Sequence, residues 1–162
     1  MALRTRFPKL LIGRTLGILL GLAWSGLANA VPPVNTAKDG LAIKGYDPVA
    51  YVTEGAAARG KPEFTHAWMG ATYRFASAEN RDRFAADPER YAPRFGGYCS
   101  WAVSRGYTAD IDPEAWTIQD GRLYLNYSRS VREKWLEDVA GNITKGNENW
   151  PKLVADGKGG TS

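Results

Sequence analysis

Three side chains of this 162-residue chain have the chemistry to bind a soft metal ion. Cys99 is the only cysteine, His66 is the only histidine, and Asp47 lies directly before a proline. A cysteine thiolate and an imidazole are ligands that copper and zinc favour, and a carboxylate adds a weaker oxygen donor. If the chain binds a metal, we therefore predict Cys99, His66 and Asp47 as its ligands and copper or zinc as the ion.

The same residues allow two other interpretations. Protein zinc sites usually have three or four ligands, so a lone imidazole at His66 also fits a packed, hydrogen-bonded side chain, and Cys99 fits a buried apolar residue. Cys99, His66 and Asp47 could also serve as nucleophile, base and orienting group in a thiol-dependent enzyme. Nothing in their spacing selects that arrangement, so the sequence assigns no catalytic residue.

Aromatic side chains form a second group of candidate functional residues. Ligand pockets are mostly apolar with a few polar groups, and tyrosine and tryptophan supply both characters. The alternative is that these rings form the core of the domain. The candidates for a small-molecule pocket are Tyr46, Tyr51, Trp68, Tyr98 and Trp101.

The element that positions His66 and Trp68 is a predicted β-hairpin. Its strands are Glu63–Met69 and Ala71–Ala76, with the turn at the Met-Gly dipeptide between them. Strand side chains alternate between two faces, so this turn places the aromatic residues on one face as a slab, and Phe84 of the following helix is expected to pack on it. The predicted opposite pairs are Phe64 with Phe75, His66 with Tyr73, and Trp68 with Ala71.

Short helices are predicted around the other candidate residues. Asp47 is typical of a helix N-cap, and Pro48 of a first helical position, so a short helix is predicted through Tyr51. Ser77 is predicted to cap the helix that follows the hairpin. A short buried helix is predicted over Tyr98–Val103.

The second half of the chain predicts another hairpin and a C-terminal helix. Strands Ala115–Gln119 and Arg122–Tyr127 are joined by Asp120-Gly121, a strong hairpin signal. Apolar residues then recur at helical spacing, with Gly141 as a point of division and Trp150-Pro151 closing the fold. These apolar residues are Val131, Trp135, Leu136, Val139 and Ile143. The fold class is therefore α+β: a small aromatic-rich domain with two hairpins, short helices and a C-terminal amphipathic helix.

The N-terminal segment, residues 1–30, has the pattern of a secretory signal peptide. A basic start precedes the apolar run Leu16–Trp24, and Ala28-Asn29-Ala30 provides a small-x-small cleavage site. We therefore predict cleavage after Ala30 and a periplasmic or secreted protein. One domain is predicted over residues 31–155, with a flexible tail at 156–162.

The charge balance excludes several classes of partner. Of the 21 lysines and arginines, four lie in residues 1–30, which hold no acidic residue, so the rest of the chain carries 17 basic and 17 acidic side chains. A neutral domain lacks the basic surface that nucleic-acid binding requires and the polybasic patch that attracts an anionic membrane. The apolar run is too short to span a bilayer, so no membrane span is expected after cleavage.

Four motifs together resemble the YHS domain family, in particular its exported, single-domain bacterial branch. The motifs are Gly45–Val49, Tyr73–Ser77, Arg83-Phe84 and Asp87–Tyr91, in that order. The resemblance implies a hairpin packed on a short helix and an association with heavy-metal handling, including copper transport and resistance to copper or mercury.

The resemblance also shows which ligands this chain lacks. Metal-binding members have cysteines where this chain has Ala50, Ala76 and Asn80, and neither a methyl nor a carboxamide group is a soft ligand. We therefore expect an exported YHS-like binding domain that handles a heavy metal, such as copper, through a non-standard site. The first alternative is a metal-free module that binds a small molecule or a protein partner, and the second is the thiol-dependent enzyme.

Overall fold

The computed structural model describes residues 31–156 and confirms the α+β class. The predicted signal peptide and residues 157–162 of the predicted tail lie outside these described residues. The helices are α1 Pro48–Thr53, α2 Ala78–Ala86, α3 Pro88–Tyr91, α4 Ser100–Ser104, α5 Arg129–Leu136 and α6 Val139–Asp156. The strands are β1 Lys61–Trp68, β2 Ala71–Phe75, β3 Asp112–Gln119 and β4 Arg122–Asn126, paired as two antiparallel hairpins.

The first hairpin, β1 and β2, confirms most of the predicted register. His66 lies opposite Tyr73, and Trp68 lies opposite Ala71. The predicted pairing of Phe64 with Phe75 is wrong, because an irregularity in β1 between Lys61 and Thr65 shifts the register and pairs Phe75 with Lys61. A bulge adds residues to one strand of a pair, which the alternation of side chains along the sequence does not reveal.

Helix α2 holds the aromatic slab of the first hairpin in place. Ser77 caps this helix by accepting a hydrogen bond from the Asn80 amide, as predicted. Phe84 is fully buried, and its ring centroid lies 4.7 Å from that of Tyr73 and 5.2 Å from that of Phe75. Rings at such separations stabilise each other beyond the area they bury. The predicted role of Phe84 as the anchor of this helix is confirmed.

The second hairpin, β3 and β4, has the predicted Asp120-Gly121 turn. Both turn residues have positive φ, 51° and 70°, which matches the turn type whose twist suits the flanking strands. The Tyr51 hydroxyl of α1 donates a 2.8 Å hydrogen bond to the Pro113 carbonyl of β3. This bond and the edge contact between Tyr51 and Trp116, 5.4 Å between ring centroids, join α1 to the second hairpin.

The C-terminal helical region is divided earlier than predicted. The break lies between Leu136 and Val139, and Asp138 accepts a 2.9 Å hydrogen bond from the Gly141 amide, which is the geometry of an N-cap. Gly141 therefore lies in the first turn of α6 and does not divide the helix. The prediction that Trp150-Pro151 closes the fold is also wrong, because Pro151 lies inside α6.

The domain has two clusters of buried apolar side chains. The first core cluster includes Val49, Tyr51, Tyr73, Phe75, Phe84, Leu123 and Leu125. The second core cluster consists of Phe95, Val103, Tyr124, Trp135 and Leu153, with Tyr98 and Trp150 packed against it. Within residues 31–156, no helix has the length and apolar character needed to cross a membrane.

Candidate functional site

The Asp47 carboxylate is the centre of a buried hydrogen-bond network. Its Oδ1 accepts hydrogen bonds from the Val49 and Ala50 amides, at 2.8 and 3.3 Å. Its Oδ2 accepts from the Ala76 amide at 2.8 Å and from the Asn80 side-chain amide at 2.7 Å. A buried carboxylate is costly unless donors surround it, and Asp47, which is 0% exposed, has two donors on each oxygen.

This network brings together the three positions at which the resemblance predicts metal-ligand cysteines. Ala50 lies in α1, Ala76 directly follows β2 and Asn80 lies in α2, and each donates a hydrogen bond to the same carboxylate. The Asn80 side-chain amide also lies 3.3 Å from Glu54 Oε1. Hydrogen bonds from backbone and carboxamide groups therefore join three elements at this point, and both Asp47 oxygens are occupied.

Cys99 is buried and hydrogen-bonded in a different part of the core. Its Sγ accepts from the Tyr127 amide at 3.3 Å and lies 3.9 Å from Asn126 Oδ1. Burial raises the pKa of the thiol, and the nearby amides of Ala102, Tyr127 and Trp101 only partly offset the rise. A reactive cysteine needs a lowered pKa and access to its substrate. With 1% exposure, Cys99 lacks the access.

His66 packs as a ring on the aromatic slab, with its centroid 5.9 Å from that of Phe84. Across residues 31–156, no group of three or more histidine, cysteine, aspartate or glutamate side chains has the geometry to hold a metal ion. The surroundings of Asp47, His66 and Cys99 therefore do not fit the predicted metal site, and the same three residues do not form a nucleophile, base and orienting group.

The five predicted ligand-binding aromatic residues lie in different surroundings. Tyr51 is fully buried, and burial strongly raises its pKa. Tyr46 lies beneath Arg59, whose guanidinium carbon is 4.8 Å from the ring centroid, and Trp101 lies beneath Arg105 at 3.8 Å. The fourth, Tyr98, packs against Trp150. The fifth, Trp68, lines a surface cleft.

The cleft has a volume of about 240 Å³ and lies where the two core clusters meet. Trp68 and Tyr73 reach it from the first hairpin, while Phe95 and Trp150 reach it from the second core cluster. Two guanidinium groups, those of Arg94 and Arg122, are also among its lining residues. Concave sites with aromatic walls and a few charged groups are typical of small-molecule binding.

Arg94 is held in place at the cleft by neutral groups. Its Nη2 donates a 3.0 Å hydrogen bond to Asn147 Oδ1 of α6. Burial raises the pKa of the Tyr124 phenol, and the neighbouring Arg94 guanidinium opposes that rise. Arg94 Nε is buried and has no hydrogen-bond partner. Among the described residues, no carboxylate oxygen lies within 4.0 Å of the Arg94 guanidinium.

The part of the cleft wall that the N-terminal segment forms depends on two residues with positive φ. Phe95 and Gly96 both adopt positive φ, 54° and 60°, and Gly96 O accepts a 2.8 Å hydrogen bond from the Asn35 amide. A Cβ at Gly96 would lie 2.1 Å from the Pro33 carbonyl oxygen, so only glycine allows the N-terminal segment to approach this closely. This contact places Pro33 and Val34 along the cleft.

Sequence reasoning found Trp68 and missed Arg122 and Trp150 as cleft residues; Arg94 could be named from the sequence only as one of two arginines, with Arg74, that could bind an anion. Arg94 begins a short 3-10 helix, Arg94–Gly97, whereas Arg122 belongs to β4 and Trp150 to α6, and no local motif connects them. One signal was available: the Gly96-Gly97 pair directly after Arg94-Phe95 indicates a close backbone approach.

Comparison of the chain with protein-family models, with curated proteins and with solved structures found no match.

Proposed function

We propose that this chain is an exported YHS-like binding domain that holds a small organic molecule, and no metal ion, in the cleft between its two core clusters. The observation that carries the proposal is the composition of the cleft. Aromatic side chains from both core clusters and two guanidinium groups line one concavity of about 240 Å³. Pockets of this kind favour ligands that are partly apolar and carry a polar group.

The Asp47 network supports the YHS-like part of the proposal. The three positions where the resemblance implies metal-ligand cysteines meet at one carboxylate, as positions that once shared a metal would. Four N–H donors now surround that carboxylate, so this point of the fold is stabilised without a metal ion. Export is supported by the signal-peptide pattern of residues 1–30.

Metal content and ligand-induced stabilisation test the proposal together. The protein purified from a periplasmic extract is expected to contain much less than one equivalent of copper or zinc by elemental analysis. A panel of small anionic, neutral and cationic ring compounds is then screened by thermal unfolding. A ligand at 100 times its Kd stabilises the folded state by about 2.7 kcal/mol, which raises Tm by roughly 8–15 °C for a domain of this size.

A variant that fills the cleft provides the control. Ala92 lines the cleft and is largely buried, so Ala92→Leu is expected to reduce the ligand-induced rise in Tm. Ala85→Leu, on the exposed face of α2, should leave that rise unchanged. Stoichiometric copper or zinc that disappears in Cys99→Ala or His66→Ala would instead establish the metal-binding function. A panel without a single stabilising compound would refute the cleft as a binding site.

A further inference from the structure

We infer that the ligand of this cleft is an aromatic carboxylate, whose ring lies between Trp68 and Trp150 and whose carboxylate pairs with Arg94. This inference rests on the proposed function, because it names the chemical class that the cleft takes. Three features of the cleft carry it: an arginine without an acidic partner among the described residues, two tryptophans that line it from different core clusters, and a small volume.

Arg94 has the properties of a carboxylate receptor. Its side chain is half-buried, and its partners among the described residues are neutral: the Asn147 side chain, to which it donates a 3.0 Å hydrogen bond, and the neighbouring Tyr124 phenol. The planar guanidinium presents paired donors that match the two oxygens of a carboxylate. A carboxylate ligand in the cleft would therefore balance a charge that no carboxylate of the described residues meets.

Trp68 and Trp150 form two walls suited to a planar ring. Both are half-buried, which leaves part of each indole accessible. Each packs against a buried ring of its own core cluster: Trp68 lies 6.1 Å from Tyr73 and Trp150 lies 6.3 Å from Phe95, measured between centroids. These ring contacts fix the two tryptophans at the cleft, where they present apolar surfaces that an aromatic ligand can contact.

The charge and the size of the cleft narrow the ligand class. Arg94 and Arg122 contribute two positive charges, while the exposed Glu89 is the only acidic residue among the lining residues that the structure describes. Arg122 also donates a 2.6 Å hydrogen bond to the backbone carbonyl of Glu89, another cleft residue, and this bond holds the Arg122 side chain in place. This balance favours an anion over a cation. A volume of about 240 Å³ equals that of about eight water molecules, which suits one ring with a short acid chain.

Phenylacetate and its analogues test the inference by calorimetry on the mature protein. Phenylacetate combines the ring and the carboxylate, 2-phenylethanol lacks the charge, 2-phenylethylamine reverses it, and acetate and inorganic phosphate lack the ring. Phenylacetate is expected to bind at least tenfold more tightly than any of the other four. Arg94→Gln should weaken phenylacetate roughly 10- to 100-fold, as expected for the loss of charge-assisted hydrogen bonds, and change 2-phenylethanol less than threefold.

Arg90→Gln is the matched control, since Arg90 is an exposed arginine outside the cleft whose guanidinium lies over Tyr91. It should leave phenylacetate binding unchanged. Trp68→Leu should weaken phenylacetate and 2-phenylethanol alike and leave acetate unaffected. If Arg94→Gln fails to fold, the ligand series on the unaltered protein and Trp68→Leu still decide the question.

The outcomes separate this inference from the proposed function. Equal affinity for phenylacetate and 2-phenylethanol, with no effect of Arg94→Gln, would overturn the carboxylate assignment while the cleft remained a binding site. Binding of phosphate and acetate as tight as that of phenylacetate would overturn the role of the ring. If neither these compounds nor the thermal-unfolding panel binds, both the inference and the proposed function fail.

Discussion

Replacing Asp47 with asparagine tests the hydrogen-bond network at the centre of the first core cluster. The substitution preserves shape and exchanges one carboxylate oxygen for an NH₂ group. Each oxygen of Asp47 faces two donors: the Val49 and Ala50 amides on one side, and the amides of Ala76 and of the Asn80 side chain on the other. Either orientation of the new side chain therefore places an NH₂ group against two N–H groups.

The cost follows from the number of bonds lost. Hydrogen bonds to a charged group contribute about 1.5–3 kcal/mol each, and buried donors left without acceptors are unfavourable. Asp47→Asn loses two such bonds in either orientation, so we expect the free energy of unfolding to fall by about 3–6 kcal/mol. This is a large part of the roughly 5–15 kcal/mol that stabilises a typical domain.

Urea denaturation followed by tryptophan fluorescence measures the loss, with the midpoint and the slope m fitted separately. Asp87→Asn is the matched control, because Asp87 also precedes a proline and caps a helix, but it is exposed and accepts only the Arg90 amide, at 3.2 Å. Asparagine caps a helix about as well as aspartate, so this control should change stability by less than about 0.5 kcal/mol. If Asp47→Asn costs no more than Asp87→Asn, the network does not stabilise the fold as argued.

Two further predictions concern the sulfur chemistry of this scaffold. Native Cys99 should resist a thiol reagent until the protein unfolds. Burial raises the pKa of the folded thiol above that of the unfolded chain. The stabilisation that the buried, protonated thiol gives the fold is therefore complete below about pH 8.5 and is lost as the pH rises through the folded pKa. Cys99→Ala should remove this loss, which begins near the ordinary thiol pKa of about 8.5, and rapid labelling of the native thiol would contradict the buried placement. The variant A50C/A76C/N80C should bind Co²⁺ with a sulfur-to-metal charge-transfer band that the N80C variant lacks, and absence of the band would argue against the YHS resemblance.

Both hairpins could be predicted because short-range rules determine them. Side-chain alternation identified the aromatic face, and the dipeptides Met69-Gly70 and Asp120-Gly121 provide the positive φ values that tight hairpins require. The caps Asp47 and Ser77 were predictable for the same reason, since an N-cap bonds to amides only two or three residues away.

The errors arose where tertiary packing overrides local preference. The irregularity between Lys61 and Thr65 that displaces Phe64 from Phe75 has no signal in the alternation of the strand. Pro151 lies within α6, although proline inside a helix removes one backbone hydrogen bond. Leu153, on the next turn, is buried in the second core cluster, and this burial helps to offset the cost of extending the helix past the proline.

The residues of the candidate site were harder to predict from the sequence than the hairpins and caps. The residue types with obvious chemistry, a lone cysteine and a lone histidine, are enclosed by the core or packed on a ring. The residues that meet in the cleft are an arginine and two tryptophans from distant segments, Arg94, Trp68 and Trp150. Individually these types are common on surfaces and in cores, so only their spatial arrangement marks them.

Asp47 and Arg94 differ in how this chain compensates the charge of a side chain. Cysteines that bind a soft metal make the stability of a domain depend on that metal. In this chain four N–H donors around Asp47 join α1, α2 and the residue after β2 by hydrogen bonds alone. Arg94, in contrast, keeps an unpaired Nε and has no acidic partner among the described residues. The protein thus satisfies the charge of Asp47 with its own donors and leaves that of Arg94 without a carboxylate partner among the described residues, so an anionic ligand would gain most by binding at the cleft.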